Sequence, residues 1–187
     1  AADHILDIHS TSQDVEPFWV YPKFRRNLLA SGAIGRPRTH MVMPRGLGSG
    51  TPLVQHGRHG DDGHHGVAMV VECGQHFRQA TADRAIDVAR AFLAHFGLIE
   101  ADPRPAPEPP RRLELLKTWV IQTPEFRFTR PLVGFETFAE GELIGTDGDL
   151  EIRALCADCT VLMPARTAIV GREGVYLTRP LSLEEAS

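Results

Sequence analysis

The stretch from Glu100 to Glu114, EADPRPAPEPPRRLE, limits what this chain can fold into more than any other. It holds five prolines within fifteen residues. Each proline fixes φ and removes a backbone donor, so neither a helix nor a central strand can run through the stretch. Such a composition makes a stiff, extended connector. We therefore read residues 101–113 as a linker between residues 1–100 and residues 114–187, a division that 187 residues can support. A net charge of −4, with arginine dispersed along the chain, gives no basic surface for nucleic acid. The apolar runs are too short to span a bilayer, so no membrane partner is expected. Three cysteines, an odd number, point to a reducing compartment and hence to the cytoplasm.

Before the linker, Asp3 to Ser12, DHILDIHSTS, reads as a strand. Leu6 and Ile8 share one face, and Ile5 shares the other with Asp7 and His9. Apolar residues on both faces predict a strand covered on both sides. His9 then stands at its carboxyl end, where open α/β sheets bind ligands. A strand starting at residue 3 is either the edge of a small domain or the middle of a larger fold. Residues 13–66 are rich in Gly, Pro, Arg and His and predict a long irregular region. Val67 to Val71 is a continuous apolar run, as in a central strand, and it ends on Glu72. A helix follows from Ala82 to Phe96, with Thr81 as its cap and Gly97 as its stop. Ala85, Ala89, Phe92 and Phe96 form its apolar stripe, flanked by Ile86 and Leu93.

After the linker the pattern changes to short strand-like runs at 119–121, 132–135, 150–155 and 160–163. Turn signals separate them at 145–148, 157–158 and 171–174. The expected fold class is α/β: a mixed sheet flanked by helices, followed by a small all-β domain.

His9 and Glu72 each follow an apolar strand. A neutral imidazole is a common zinc ligand, and a nearby carboxylate can take a proton from water and return it to a leaving nitrogen. The segments DIHSTS and VVECGQH resemble two motifs of the succinylglutamate desuccinylase/aspartoacylase family, zinc hydrolases related to the zinc carboxypeptidases. The resemblance runs over nearly the whole chain, including a β domain after a linker. It implies a carboxypeptidase-like fold for the first part. It also implies that His9 is a zinc ligand and Glu72 the general base of a deacylase acting on an N-acyl amino acid or a similar small linear amide. Ser10, Thr11, Gln75 and Arg58 are the candidate substrate contacts. The family's other zinc ligands, in a His-x-x-Glu motif, have no counterpart here: His4 is followed by Asp7, His9 by Ser12 and His95 by Leu98. The resemblance thus implies the C-terminal part of a longer enzyme, binding zinc weakly and inactive by itself. Bare sheet edges in such a fragment predict self-association into a homo-oligomer. The alternative is a non-catalytic binding module that retains the fold.

The remaining candidates carry less. Gln55 to Gly66, QHGRHGDDGHHG, clusters His56, His59, His64 and His65 with Asp61 and Asp62, and its glycines predict a mobile polar loop over the active site. Cys156 and Cys159 form a lone C-x-x-C, read as a hairpin turn between two strands. Cys73 is expected to pack rather than react. The β domain resembles biotinyl/lipoyl-like folds, but a carrier needs a lysine at a hairpin tip. Lys23 and Lys117 are the chain's only lysines, and Lys117 lies near a strand start.

Overall fold

The computed structural model describes residues 2–44, 52–101, 103 and 105–182. It forms two compact units, one running to Arg112 and the other comprising Leu113–Leu181.

The first unit is built on four strands in the order β1-β4-β2-β3. They are β1 (Ile5–Thr11), β2 (Phe18–Pro22), β3 (Thr39–Met43) and β4 (Ala68–Gln75). β1 and β4 run parallel, in register from Ile5 opposite Ala68 to His9 opposite Glu72. β2 is antiparallel to β4 and parallel to β3. β1 is not covered on both sides: it lies at the sheet edge and Ile8 is 46 % exposed. The expected irregular stretch 13–66 also holds far more structure than its composition suggests. β2 and β3 are buried along their whole lengths, and helix α1 (Arg25–Ile34) lies between them in sequence. α1 has no side-chain N-cap bond, and Gly35 closes it in the left-handed region with φ 73°. Tertiary contacts make up for that weak local signal. Leu28 and Ile34 are buried, Asn27 donates to the Pro22 carbonyl at 3.2 Å, and the Ser31 hydroxyl donates to the Tyr21 hydroxyl at 2.9 Å. The Tyr21 hydroxyl in turn lies 2.7 Å from His40 Nδ1.

Helix α2 (Gln79–His95) begins three residues before the expected start, with Arg78 as its N-cap residue. Thr81 is therefore not the cap. Its hydroxyl donates to the Gln75 carbonyl at 2.7 Å and ties the end of β4 to the first turn of α2. The buried face is Thr81, Val88 and Phe92, whereas Ile86 and Leu93 are exposed. Gly97 ends the helix as expected, with φ 70°.

The second unit is made of strands. β5 (Arg111–Val120) pairs with β11 (Glu173–Pro180), β11 with β10 (Cys159–Leu162), and β10 with β7 (Thr137–Phe138), all antiparallel. A second sheet joins β6 (Arg127–Phe128), β8 (Leu143–Asp147) and β9 (Leu150–Arg153). Trp119, Ile121, Phe126, Phe138, Ile144, Ile152, Val161 and Leu177 form its core. Residues 132–135 are not a strand. Gly134 and Phe135 both adopt positive φ there, at 122° and 70°, which a strand does not permit. The 145–148 segment is mostly strand, and its turn falls at Gly148. The Cys156–Cys159 segment joins strands of different sheets and is not a hairpin turn. Lys117 lies within β5 opposite Leu177, its ammonium 4.7 Å from the Trp119 ring, so it is no carrier lysine at a tip.

Candidate active site

The parallel pairing of β1 with β4 sets His9 directly opposite Glu72 near the carboxyl ends of both strands. His9 Nδ1 lies 3.5 Å from Glu72 Oε1, and His9 Nε2 lies 3.1 Å from Asp7 Oδ1. Asp7 shares the face of His9 because it stands two residues before it in a strand. The two main groups differ in access: the side chain of His9 is 48 % exposed and that of Glu72 only 10 %. Glu72 Oε2 is buried and accepts no hydrogen bond. Burial pushes the Glu72 carboxyl above its ordinary range; His9 and His76 pull against that push, and the charge of Asp7 adds to it. The carboxyl end of the β1–β4 pair therefore carries a reachable imidazole beside a desolvated carboxyl group.

Past this pair the register shifts, so that Thr11 faces Gln75. Gly74 takes up the irregularity with φ 113°. The Thr11 carbonyl accepts the His76 amide at 2.8 Å, and Ser10 Oγ lies 2.7 Å from His76 Nδ1. Thr11 is buried, and its hydroxyl donates to the Gln13 carbonyl at 2.6 Å. Gln75 Oε1 accepts from Arg78 Nε at 3.1 Å. Phe77 follows with φ 61° and a fully exposed ring. The structure thus brings His9, Glu72, Ser10, Thr11 and Gln75 to one end of the strand pair. Asp7 and His76 join them, although the sequence reading gave neither a role in the site. Asp7 could have been found from its spacing to His9; His76 depends on the bulge, which has no local signature.

Arg58 does not join them. It pairs with Asp3 at 3.2 Å, before the start of β1. Asp3 is six residues from His9, roughly 20 Å along a strand. The His-rich segment lies with it at the amino end of the pair, since Gly66 leads directly towards β4. Nor is this segment a loose cover over the site. The Arg26 guanidinium donates to the carbonyls of His59, Asp62 and Gly66 at 2.9, 3.2 and 2.9 Å, and His59 is buried. Cys73 is buried, and burial with the nearby Glu72 charge pushes its thiol up to about 11, so it packs as expected.

A metal finds only part of a site here. Among the described residues no three His, Cys, Asp or Glu side chains converge as ligands. His9 offers an accessible ring, but a catalytic zinc is held by about three protein ligands.

No protein-family model matches the sequence, and no curated protein matches it. Solved structures do match. The succinylglutamate desuccinylase of Vibrio cholerae superposes with a TM-score of 0.71 at 20 % identity, over 94 % of this chain and 52 % of that one. The Vibrio parahaemolyticus enzyme of the same name gives 0.67 at 17 % identity, over 95 % and 53 %. A succinylglutamate desuccinylase/aspartoacylase from Rhodobacter sphaeroides gives 0.66 at 20 % identity, over 97 % and 59 %. This chain has the succinylglutamate desuccinylase/aspartoacylase fold. It spans little more than half the length of the structures that it matches. No helix among the described residues is long and apolar enough to cross a membrane.

Proposed function

We propose that the chain carries part of the active site of a zinc-dependent amidohydrolase that deacylates N-acyl amino acids or similar small linear amides. One observation carries this reading: the accessible His9 imidazole faces the buried Glu72 carboxyl across a parallel strand pair, and Glu72 keeps one oxygen without a partner. His9 would supply one ligand, and the others would come from sequence beyond these residues. Zinc, when bound, makes a water acidic enough to lose its proton near pH 7. Glu72 would be the group that takes a proton from water and returns it to the departing amine nitrogen. The upward push on its pKa suits both steps, because a carboxyl that binds its proton more tightly is a better base and still a competent acid. Asp7 Oδ1, 3.1 Å from His9 Nε2, would orient the ring by accepting that nitrogen's N–H, and His9 would then hold the metal through Nδ1. Ser10, with its hydroxyl 2.7 Å from His76 Nδ1, and Gln75 would be the substrate contacts. Thr11, with its hydroxyl on Gln13, holds the strand end in shape rather than touching substrate. The desuccinylase names of the similar structures support an N-acyl amino acid as substrate.

The test is amine release from N-succinylglutamate and other N-acyl amino acids, with zinc content measured alongside. The protein with its complete natural sequence should release amine only when zinc is bound, and residues 1–187 alone should release none. Stoichiometric zinc with no release from any amide would overturn the reading in favour of a binding module that keeps the fold.

A further inference from the structure

The second unit contains a cavity of about 660 Å³ that the proposed chemistry does not use. Its size falls within the roughly 300–1,000 Å³ of small-molecule sites. Phe126, Phe128 and Leu132 give it an apolar lining, where the edge of the core comes to the surface. Arg127, Arg130 and Arg166 line it as well, and no acidic residue does.

These three guanidiniums differ from others in the chain. Arg36, Arg38, Arg58, Arg153 and Arg179 each form an ion pair with a carboxylate. Among the described residues none of the three cavity arginines does. A local charge of +3 without a counter-charge runs against the net −4 of the whole chain. The carboxylate of Glu136, close in sequence to the lining residue Val133, is engaged elsewhere. Its two oxygens accept the Val133 and Gly134 amides at 2.7 and 2.9 Å.

The wall is also held in shape before any ligand arrives. The Thr129 amide donates to the Ile144 carbonyl at 2.9 Å, and the Phe135 amide to the Val161 carbonyl at 2.7 Å, so the intervening segment is pinned at both ends. Phe135 pays for this with a left-handed backbone, φ 70°. The Arg130 guanidinium lies 5.1 Å from the centroid of the buried Phe138 ring, which restricts its position. All three arginines are exposed at the cavity rim and have no carboxylate partner among the described residues, so their guanidiniums favour a ligand carboxylate through paired N–H donors, and the apolar lining favours a hydrophobic body.

We propose that this cavity binds a small organic carboxylate with an aromatic or aliphatic body. The site rests on residues 126–168 alone, so it stands or falls separately from hydrolysis at Glu72. The test follows amide resonances of the full chain while benzoate is added. Benzamide serves as the uncharged counterpart, and inorganic phosphate as charge without an apolar body. Benzoate should shift residues 126–133 and 165–168 saturably, with benzamide and phosphate at least about tenfold weaker. The double variant Arg130→Gln/Arg166→Gln should weaken benzoate about tenfold while leaving the melting temperature unchanged. Equal binding of benzamide, shifts spread over the surface, or benzoate affinity unaltered in the double variant would each overturn the proposal. So would a lack of saturation by benzoate.

Discussion

Glu72 and Asp147 are both buried carboxylates, and their surroundings push them in opposite directions. Glu72 has an oxygen with no donor, and burial raises its pKa. Asp147 is fully buried too, but four donors at 2.8 Å, from Trp119 Nε1, the Gln122 amide, and the Thr123 amide and hydroxyl, outweigh that burial and hold its carboxyl low. One can exchange a proton, whereas the other is a fixed anion that fastens the second unit. Asp147→Ala strands the Trp119, Gln122 and Thr123 donors and should cost about 3 kcal/mol in urea denaturation at pH 7. Because the folded pKa is depressed, the stability that Asp147 contributes is complete above its unfolded value and is lost as pH falls through its folded value. The gap between wild type and variant should therefore narrow in acid. His40 has the same sense. Burial, with Arg112 nearby, lowers it to about 3, so protonation opposes folding, and the stability from keeping it neutral fades as pH drops from about 6.5 towards 3. Imidazole resonances at pH 5 should show His40 neutral; a protonated His40 in the folded protein would contradict its packing against Tyr21.

At the scale of elements, the joint between β4 and α2 sets the site. Gly74 permits the bulge that carries the chain from Glu72 to Gln75. A Cβ there would lie 3.0 Å from Arg84 Nη1 and 3.2 Å from Thr81 Oγ1 on a backbone of φ 113°. Gly74→Ala should destabilise the protein by about 1–3 kcal/mol in urea denaturation. It should also disturb the Ser10 and His76 resonances beyond the bulge. The sequence made β4, α2 and the Glu72 position legible, because a continuous apolar run followed by a helical stripe is a strong local signal. β2, α1 and β3 were not legible. β2 is only five residues long, and α1 has no capping side chain, so both depend on partners distant in sequence. Thr81 is ambiguous for a related reason: a threonine near a helix start fits both a cap and a tie to the preceding strand, and its bond to the Gln75 carbonyl makes it the tie. β11 was missed because its glycine-rich approach at 171–174 concealed the run from Val175 to Leu177.

On the scale of the whole molecule, the chain matches little more than half of each similar structure, and among the described residues no three potential metal ligands converge. The sequence motifs placed His9 and Glu72 correctly relative to each other because parallel pairing preserves the order in which two strands end. They misplaced Arg58 and the His-rich segment because the antiparallel β2 and parallel β3 return the chain to the opposite end of the pair before β4 begins. Under the proposed function, Glu72 would move the protons of amide hydrolysis at a zinc site to which His9 contributes. The direct measurement is kcat/KM for an N-acyl amino acid, with bound zinc, for the Glu72→Gln variant of the protein in its complete natural sequence. Proton transfer by Glu72 predicts a loss of about 10²–10⁴-fold with zinc content unchanged. Hydrolysis at the wild-type rate by that variant would contradict it.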